Sequence, residues 1–111
     1  MTFKDEGPCT PTFSLRDLYY FVVLAEELHF GRAADRIGIC ESPLSRAIAR
    51  LEKSLGSRLF KRNSQRTCLT QAGVALLPEA QSLLIQAERV RDVISALSAA
   101  ESRSSAKSGA I

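Results

Sequence analysis

Residues 30–66, FGRAADRIGICESPLSRAIARLEKSLGSRLFKRNSQR, contain two helical patterns separated by a short break, and the second pattern leads into a basic segment. From Ser42 onward this region holds seven Lys or Arg residues, whereas Glu52 is its one acidic residue there. The basic residues are Arg46, Arg50, Lys53, Arg58, Lys61, Arg62 and Arg66. A short amphipathic helix with a cationic outer face beside a basic turn is typical of a helix-turn-helix that lies in a DNA groove. We therefore interpret the chain as a DNA-binding domain.

The first of the two helices is predicted over residues 32–37, with Gly31 opening it and Gly38 ending it as a left-handed terminating residue. The small side chains of Ala33 and Ala34 allow the close helix approach that a tight helix-turn-helix needs.

The second helix is predicted to begin at Ser42 and Pro43, since a capping hydroxyl before a proline at the first helical position is a strong start signal. Gly56 is expected to end it. Positions at helical spacing predict its buried stripe, which consists of Leu44, Ile48, Leu51 and Leu55. The opposite face, expected to meet solvent or a groove, carries Ser45, Arg46, Ala49, Arg50 and Lys53.

A further helix is expected before this pair. Residues 1–13 are interpreted as a flexible leader, and Ser14 as the cap of a helix that starts at Leu15. The helix has two apolar stripes, one of Leu15, Leu18, Val22 and Ala25 and one of Phe21, Leu24 and Leu28. Two stripes predict either two partners, namely the domain's own core and another helix, or a single wide core face. The sequence leaves both interpretations open.

Two short apolar pairs, Leu59-Phe60 and Cys68-Leu69, flank the polar residues 61–67 and predict a two-stranded wing with a basic tip. Residues 14–69 would thus form a winged helix-turn-helix domain, mostly α, with a three-helix core.

A long linker helix is predicted over residues 70–100, capped by Thr70, with residues 101–111 as a flexible tail. Its apolar positions recur at alternating spacings of four and three: Leu76, Ala80, Leu83, Ala87, Val90, Ile94 and Leu97. This heptad spacing indicates a seam for another helix. Because a helix of roughly 28 residues is about 40 Å long, a domain this small cannot cover it. We expect the linker helix to form a homodimer.

Composition narrows the functional classes. With 111 residues, 45% of them hydrophobic, the chain suits one small domain, and its net charge of +3 matters less than the clustering of that charge. Cys9, Cys40 and Cys68 and the single His29 have no metal-ligand spacing, so no metal or cofactor is expected, and His29 is interpreted as structural. There is no Gly-rich phosphate loop and no recognisable nucleophile with a partner, which argues against an enzyme.

The cysteine content and the length of the apolar runs predict where the protein is located. An odd number of cysteines without a signal peptide favours a reducing cytoplasm, where a DNA-binding protein would associate with the nucleoid. No apolar run approaches the roughly 20 residues that cross a bilayer, so no membrane partner is expected.

Three segments carry a family resemblance: LYYFVVLAEELHFGRAADRI, SPLSRAIARLEKSLGSRLFKR and LTQAGVALL. Together they resemble the N-terminal winged helix-turn-helix domain of LysR-type transcriptional regulators, over residues 15–97 in order and without gaps. The resemblance implies bacterial transcription regulation through partly palindromic double-stranded DNA, with two linker helices packed antiparallel in a dimer.

The resemblance also implies which residues contact DNA. The start of the recognition helix, which faces base edges, would comprise Glu41, Ser42, Pro43, Ser45 and Arg46. Arg46 could bind guanine bidentately. The phosphate and wing contacts would be Gly31, Arg32, Arg62, Gln65 and Arg66, and we add Arg50 from the cationic face of the second helix.

Departures from the family pattern raise specific questions. Members usually have Gln where this chain has Glu41, and a small residue where it has Cys40. A carboxylate repels phosphate but can accept from cytosine N4, so either the operator differs or Glu41 turns away. Cys40 is either a small neutral residue or an oxidation-sensitive thiol. Arginine is frequent in the wing where Gln65 stands.

Length is the largest departure, since members continue past the linker helix into a ligand-sensing domain; no small-molecule ligand is expected within this chain. Two functions therefore remain. In the first, which the intact basic face favours, the chain binds DNA as a dimer and regulates transcription, or is the excised DNA-reading part of a longer regulator. In the second, it is a truncated pairing module that forms mixed dimers with a longer regulator and blocks it.

Overall fold

The structure, a computed structural model, describes residues 13–63 and 66–108, with side chains up to residue 101. Its elements are α1 (Leu15–Glu27), α2 (Phe30–Ile37), α3 (Glu41–Leu55), β1 (Phe60–Arg62), β2 (Thr67–Leu69) and α4 (Gln71–Ser108). The two strands pair antiparallel, with Phe60 opposite Leu69 and Arg62 opposite Thr67. This order confirms the predicted winged helix-turn-helix followed by a long helix.

Local capping signals explain most helix ends. Ser14 Oγ accepts a hydrogen bond from the Asp17 N–H at 3.1 Å, and the Asp17 carboxylate accepts from the Ser14 N–H at 3.2 Å, a reciprocal capping box. Gly38 and Gly56 end α2 and α3 with φ of 89° and 72°, a region that favours glycine. Thr70 Oγ1 accepts from the Gly73 N–H at 3.0 Å at the start of α4. These predicted ends are confirmed.

Two predicted helix starts are wrong. The helix α2 begins at Phe30, because the His29 Nδ1 accepts a hydrogen bond from the Arg32 N–H at 3.0 Å and so caps it. The helix α3 begins at Glu41 with Cys40 at the cap position, without a side-chain cap bond, and Ser42 lies inside its first turn. An acidic residue in the first turn suits the helix dipole, which offsets the missing cap.

The hydrophobic core lies where α1 crosses the other helices and the wing. Phe21, Leu24, Leu44, Leu51 and Phe60 are buried, and the Phe21 and Phe60 rings meet with centroids 5.5 Å apart. Both stripes of α1 contribute to the core. Other core side chains of α1 and α3 are Leu18, Val22, Val23, Ala25 and Ile48. Burial of both stripes fits a wide core face, and of the stripe residues only Leu15 and Leu28, at the ends, are exposed. The last member of the α3 stripe, Leu55, is also exposed.

The helix α4 docks on this core through its N-terminal part, up to Leu84. Ala80 is fully buried and Leu76 is half-buried against the core, so this part of the predicted dimer seam is occupied within one chain. The helix also runs to Ser108, beyond the predicted end at Ala100, since residues 101–108 contain neither Gly nor Pro.

Gly73 fixes how closely α4 approaches the wing. A Cβ at this position would overlap the Leu59 carbonyl oxygen and lie 2.6 Å from Leu69 Cδ2. We expect Gly73→Ala to lower the free energy of unfolding by about 1–3 kcal/mol, the usual cost of overpacking. Urea denaturation followed by circular dichroism measures this change. Val74→Ala, at an exposed neighbouring position, is the control. Equal midpoints for the two variants would contradict the proposed close approach.

Candidate nucleic-acid interface

The start of α3, the start of α2 and the wing meet along one surface. One cleft on it is lined by Phe30, Glu41, Ser42, Ser45 and Arg62. A neighbouring cleft is lined by Gly31 and Glu41 together with wing residues that include Asn63 and Arg66. Tertiary folding thus brings three separate segments, predicted as base-reading and backbone contacts, to the same face.

The predicted base-reading residues lie on one side of α3. Glu41, Ser42 and Arg46 are exposed and Pro43 and Ser45 are half-buried, whereas Leu44 and its neighbours on the other side are buried in the core. Within the described part of the chain, Arg46 forms no ion pair, so its guanidinium is available to a ligand. The geometry suits readout of base edges, in which a free guanidinium donates two parallel hydrogen bonds.

The Glu41 side chain lies against the start of α2. Its Oε2 lies 3.3 Å from the position that a Cβ on Gly31 would occupy, and the His29 ring lies 3.1 Å from the same point. Glu41 nevertheless lines both clefts of the interface. A negative charge is therefore built into a surface that is otherwise cationic, and it adjoins the first turn of α2.

Arg50 has an intramolecular role that its sequence context did not reveal. Its Nε and Nη2 donate to the two carboxylate oxygens of Asp17 at 3.1 and 2.9 Å, which joins α3 to the start of α1. Asp17 is 2% exposed and is the one buried charged side chain among the described residues. Breaking such a pair leaves an uncompensated buried charge, so Arg50 primarily stabilises the fold. The Arg50 side chain is 53% exposed in this pair, and its predicted contact with phosphate stays a prediction.

The Asp17–Arg50 pair predicts acid sensitivity. Burial raises the pKa of Asp17, but the hydrogen bonds from Arg50 and Ser14 outweigh it, so the pKa lies below its usual value. A carboxyl whose pKa is lowered by folding adds stability above its unfolded pKa, and that stability is lost as the pH falls through the folded pKa. We expect the midpoint of urea unfolding to drop between about pH 5 and pH 2.

Asp17→Asn should flatten this pH dependence while lowering stability at neutral pH, because an amide cannot balance the Arg50 charge. Asp35→Asn, at an exposed position of α2, is the matched control. An unchanged pH profile in Asp17→Asn would show that other carboxyls cause the acid sensitivity.

The residues that are predicted to contact the DNA backbone differ in their surroundings. Arg32 is 63% exposed and its Nε lies 3.5 Å from Glu27, a loose pair at the start of α2. Arg66 is exposed, and its N–H donates to Asn63 Oδ1 at 2.8 Å, which shapes the wing turn. The guanidinium carbon of Arg62 lies 4.2 Å from the centroid of the Phe30 ring. Gln65 lies outside the described residues.

Glu52 and Arg36 position these elements, a role that their sequence context does not indicate. The Glu52 carboxylate accepts from the Leu59 N–H at 2.8 Å and from the Phe60 N–H at 3.4 Å, and so fixes the segment that enters the wing. Arg36 donates to Glu26 and Glu27 at 2.7 and 3.1 Å, and these hydrogen bonds raise its pKa. Glu52, the one acidic residue between Ser42 and Arg66, therefore has a structural role.

Other kinds of site lack support in the described part of the chain. No group of three His, Cys, Asp or Glu side chains there could hold a metal ion. None of the helices described is long and apolar enough to cross a membrane.

Residues 15–74 match the family of bacterial regulatory helix-turn-helix proteins known as the lysR family. The chain belongs to the LysR family. Among its relatives, the regulator XapR of Escherichia coli is 49% identical over 76 residues, and ShiR of Corynebacterium glutamicum is 45% identical over 82. These matches cover 68% and 74% of this chain but 26% and 28% of the relatives, so the chain spans about a quarter of their length.

Solved LysR-family structures share the fold. The BenM DBD in complex with catB site 1 DNA is 35% identical, with a TM-score of 0.73, over 78% of this chain and 96% of that one. The CbnR DBD in its DNA complex is 34% identical, with a TM-score of 0.74, over 78% and 99%. Full-length OxyR from Pseudomonas aeruginosa is 38% identical with a TM-score of 0.73, over 76% and 28%. The resemblance and the fold predicted from the sequence are confirmed.

Proposed function

We propose that this chain binds double-stranded DNA with sequence preference, as a dimer formed by α4, and thereby regulates transcription from partly palindromic operators. The observation that carries the proposal is the common surface formed by the start of α3, the start of α2 and the wing. Two structural neighbours with this fold were solved as complexes with DNA. Regulation of this kind would place the protein at the bacterial nucleoid.

The exposed part of α4 supports dimer formation. Leu83, Val90, Ile94 and Leu97 are 48%, 57%, 57% and 56% exposed, and Ala87 is half-buried beside them. They continue the heptad spacing that begins with Leu76 and Ala80. Apolar side chains at this spacing are stabilised by a second helix. A symmetric pair of chains would present two recognition helices to the two halves of a palindrome.

The test is selection of duplexes from a random pool by the purified chain at several salt concentrations, followed by sequencing of the bound fraction. We expect enrichment of a dyad whose half-sites lie about one helical turn, ~34–36 Å, apart. A steep salt dependence without any enriched sequence would show a backbone contact only and would contradict sequence-specific binding.

A second candidate function is a pairing module that forms mixed dimers with a longer regulator and blocks it. The exposed apolar face of α4 favours this candidate as much as it favours a homodimer. Failure to enrich a sequence, combined with stable pairing to a LysR-family regulator of full length, would support the pairing module over the DNA-binding regulator.

A further inference from the structure

Arg62 has an unusual position for a wing cation. It is the last residue of β1, opposite Thr67, and its side chain folds back over the first residue of α2. The distance of 4.2 Å between its guanidinium carbon and the Phe30 ring centroid is well inside the range of cation–π attraction. The guanidinium is therefore held against the protein rather than at the tip of the wing.

Phe30 is well suited to hold another side chain. Its ring is half-buried and packs against the hydrophobic core, so the platform under Arg62 is rigid. Both residues line the cleft that also contains Ser42 and Ser45 of α3. When the face of a planar guanidinium rests on a ring, its N–H groups at the edge stay free to donate to phosphate.

Glu41 is the competing partner for Arg62. It lines the same cleft with the opposite charge, yet in the described chain the two side chains form no ion pair. An Arg62–Glu41 pair would satisfy both groups internally and remove a cation from the DNA-facing surface. The ring of Phe30 holds the guanidinium in a different position.

We propose that Phe30 is a positioning residue, which holds Arg62 beside the start of α3 so that its guanidinium binds the DNA backbone at the edge of the groove. The inference rests on the proposed DNA-binding function and adds to it a contact between the helix-turn-helix and the wing. In this arrangement the wing and the recognition helix contact DNA as one rigid unit. Ordering Arg62 in advance lowers the entropy that binding must lose.

Fluorescence anisotropy with the selected duplex tests the proposal in four variants: Phe30→Leu, Phe30→Tyr, Arg62→Ala and the Phe30→Leu/Arg62→Ala double variant. Leu keeps an apolar side chain in the core but removes the ring, and Tyr keeps the ring. We expect Phe30→Leu to weaken binding about two- to five-fold, the size of an exposed cation–π contact, and Phe30→Tyr to retain affinity. The double variant should bind no more weakly than Arg62→Ala, because both changes remove one interaction. The proposal is overturned if the affinity losses of Phe30→Leu and Arg62→Ala multiply in the double variant, or if Phe30→Leu binds with full affinity.

A measurement without DNA separates this inference from the proposed function. In the wild-type chain the NMR signals of the Arg62 Hδ protons should be shifted upfield by the ring current of Phe30. The shift should vanish in Phe30→Leu and persist in Phe30→Tyr, with thermal melts confirming that each variant is folded. Absence of the shift in the wild type would overturn the positioning role even if DNA binds. If the upfield shift is present but the chain binds no duplex, the proposed function is overturned, and the phosphate contact with it.

Discussion

Replacing Leu83 and Val90 together by Asp is expected to convert the proposed dimer into a monomer and to weaken binding to a palindromic duplex by at least about 100-fold. Full burial of a Leu or Val side chain contributes about 1.5–3 kcal/mol, and each chain of a symmetric dimer would contribute both residues. Carboxylates in the same positions add the cost of desolvating charge. Binding to two half-sites exceeds binding to one by a factor of about 10²–10⁴, and this gain disappears in a monomer.

Because Leu83 and Val90 are exposed in the single chain, the experiment separates loss of pairing from loss of folding. Leu83 and Val90 are 48% and 57% exposed in the single chain, so their replacement should leave the folded domain intact. Sedimentation velocity measures the change in mass, and anisotropy with full and half operators measures the change in affinity. Ser82→Asp with Ala99→Asp introduces the same charge at exposed positions outside the heptad and should preserve the dimer. An unchanged mass for Leu83→Asp/Val90→Asp would refute the seam.

Arg46→Ala is expected to weaken binding to the preferred operator by about 1–3 kcal/mol, the value of one bidentate contact with a base. Binding to unrelated duplexes should fall less, because phosphate attraction depends on the total cationic charge and not on one fork-shaped donor. Arg46 is exposed on α3 and forms no ion pair within the described residues, so the replacement removes no internal bond. Specific and nonspecific affinities are compared by anisotropy at one salt concentration.

Arg46→Lys is the informative partner variant. Lysine keeps the charge but lacks the planar fork, so base preference should weaken while nonspecific affinity is retained. Equal losses on every duplex in Arg46→Ala would mean that Arg46 contacts phosphate only, and that neighbours such as Ser42 and Ser45 account for base preference.

The predictions from sequence succeeded where neighbouring residues along the chain contain the cause. Ser14, Gly38, Gly56 and Thr70 mark helix ends because capping and left-handed conformations depend on backbone groups within a few residues. The two strands of the wing were likewise predicted locally, from the apolar pairs Leu59-Phe60 and Cys68-Leu69 that flank a polar stretch. The starts of α2 and α3 differ from the predicted ones for equally local reasons. The His29 ring caps α2, and Cys40 occupies the cap position of α3 without a side-chain hydrogen bond.

Contacts between residues that are distant in the chain could not be predicted from the sequence. Arg50 binds Asp17, which precedes it by 33 residues, and Ala80 is buried against the core instead of lying in the exposed seam. Arg62 stacks on Phe30, and Glu52 caps the backbone that enters the wing. A cation has the same appearance in a sequence whether it contacts phosphate, a buried carboxylate or a ring. The sequence alone therefore determined the family, the fold and the basic face, whereas packing determined which of its charges remain available, because the partner of a side chain is set by contacts that only the folded chain creates.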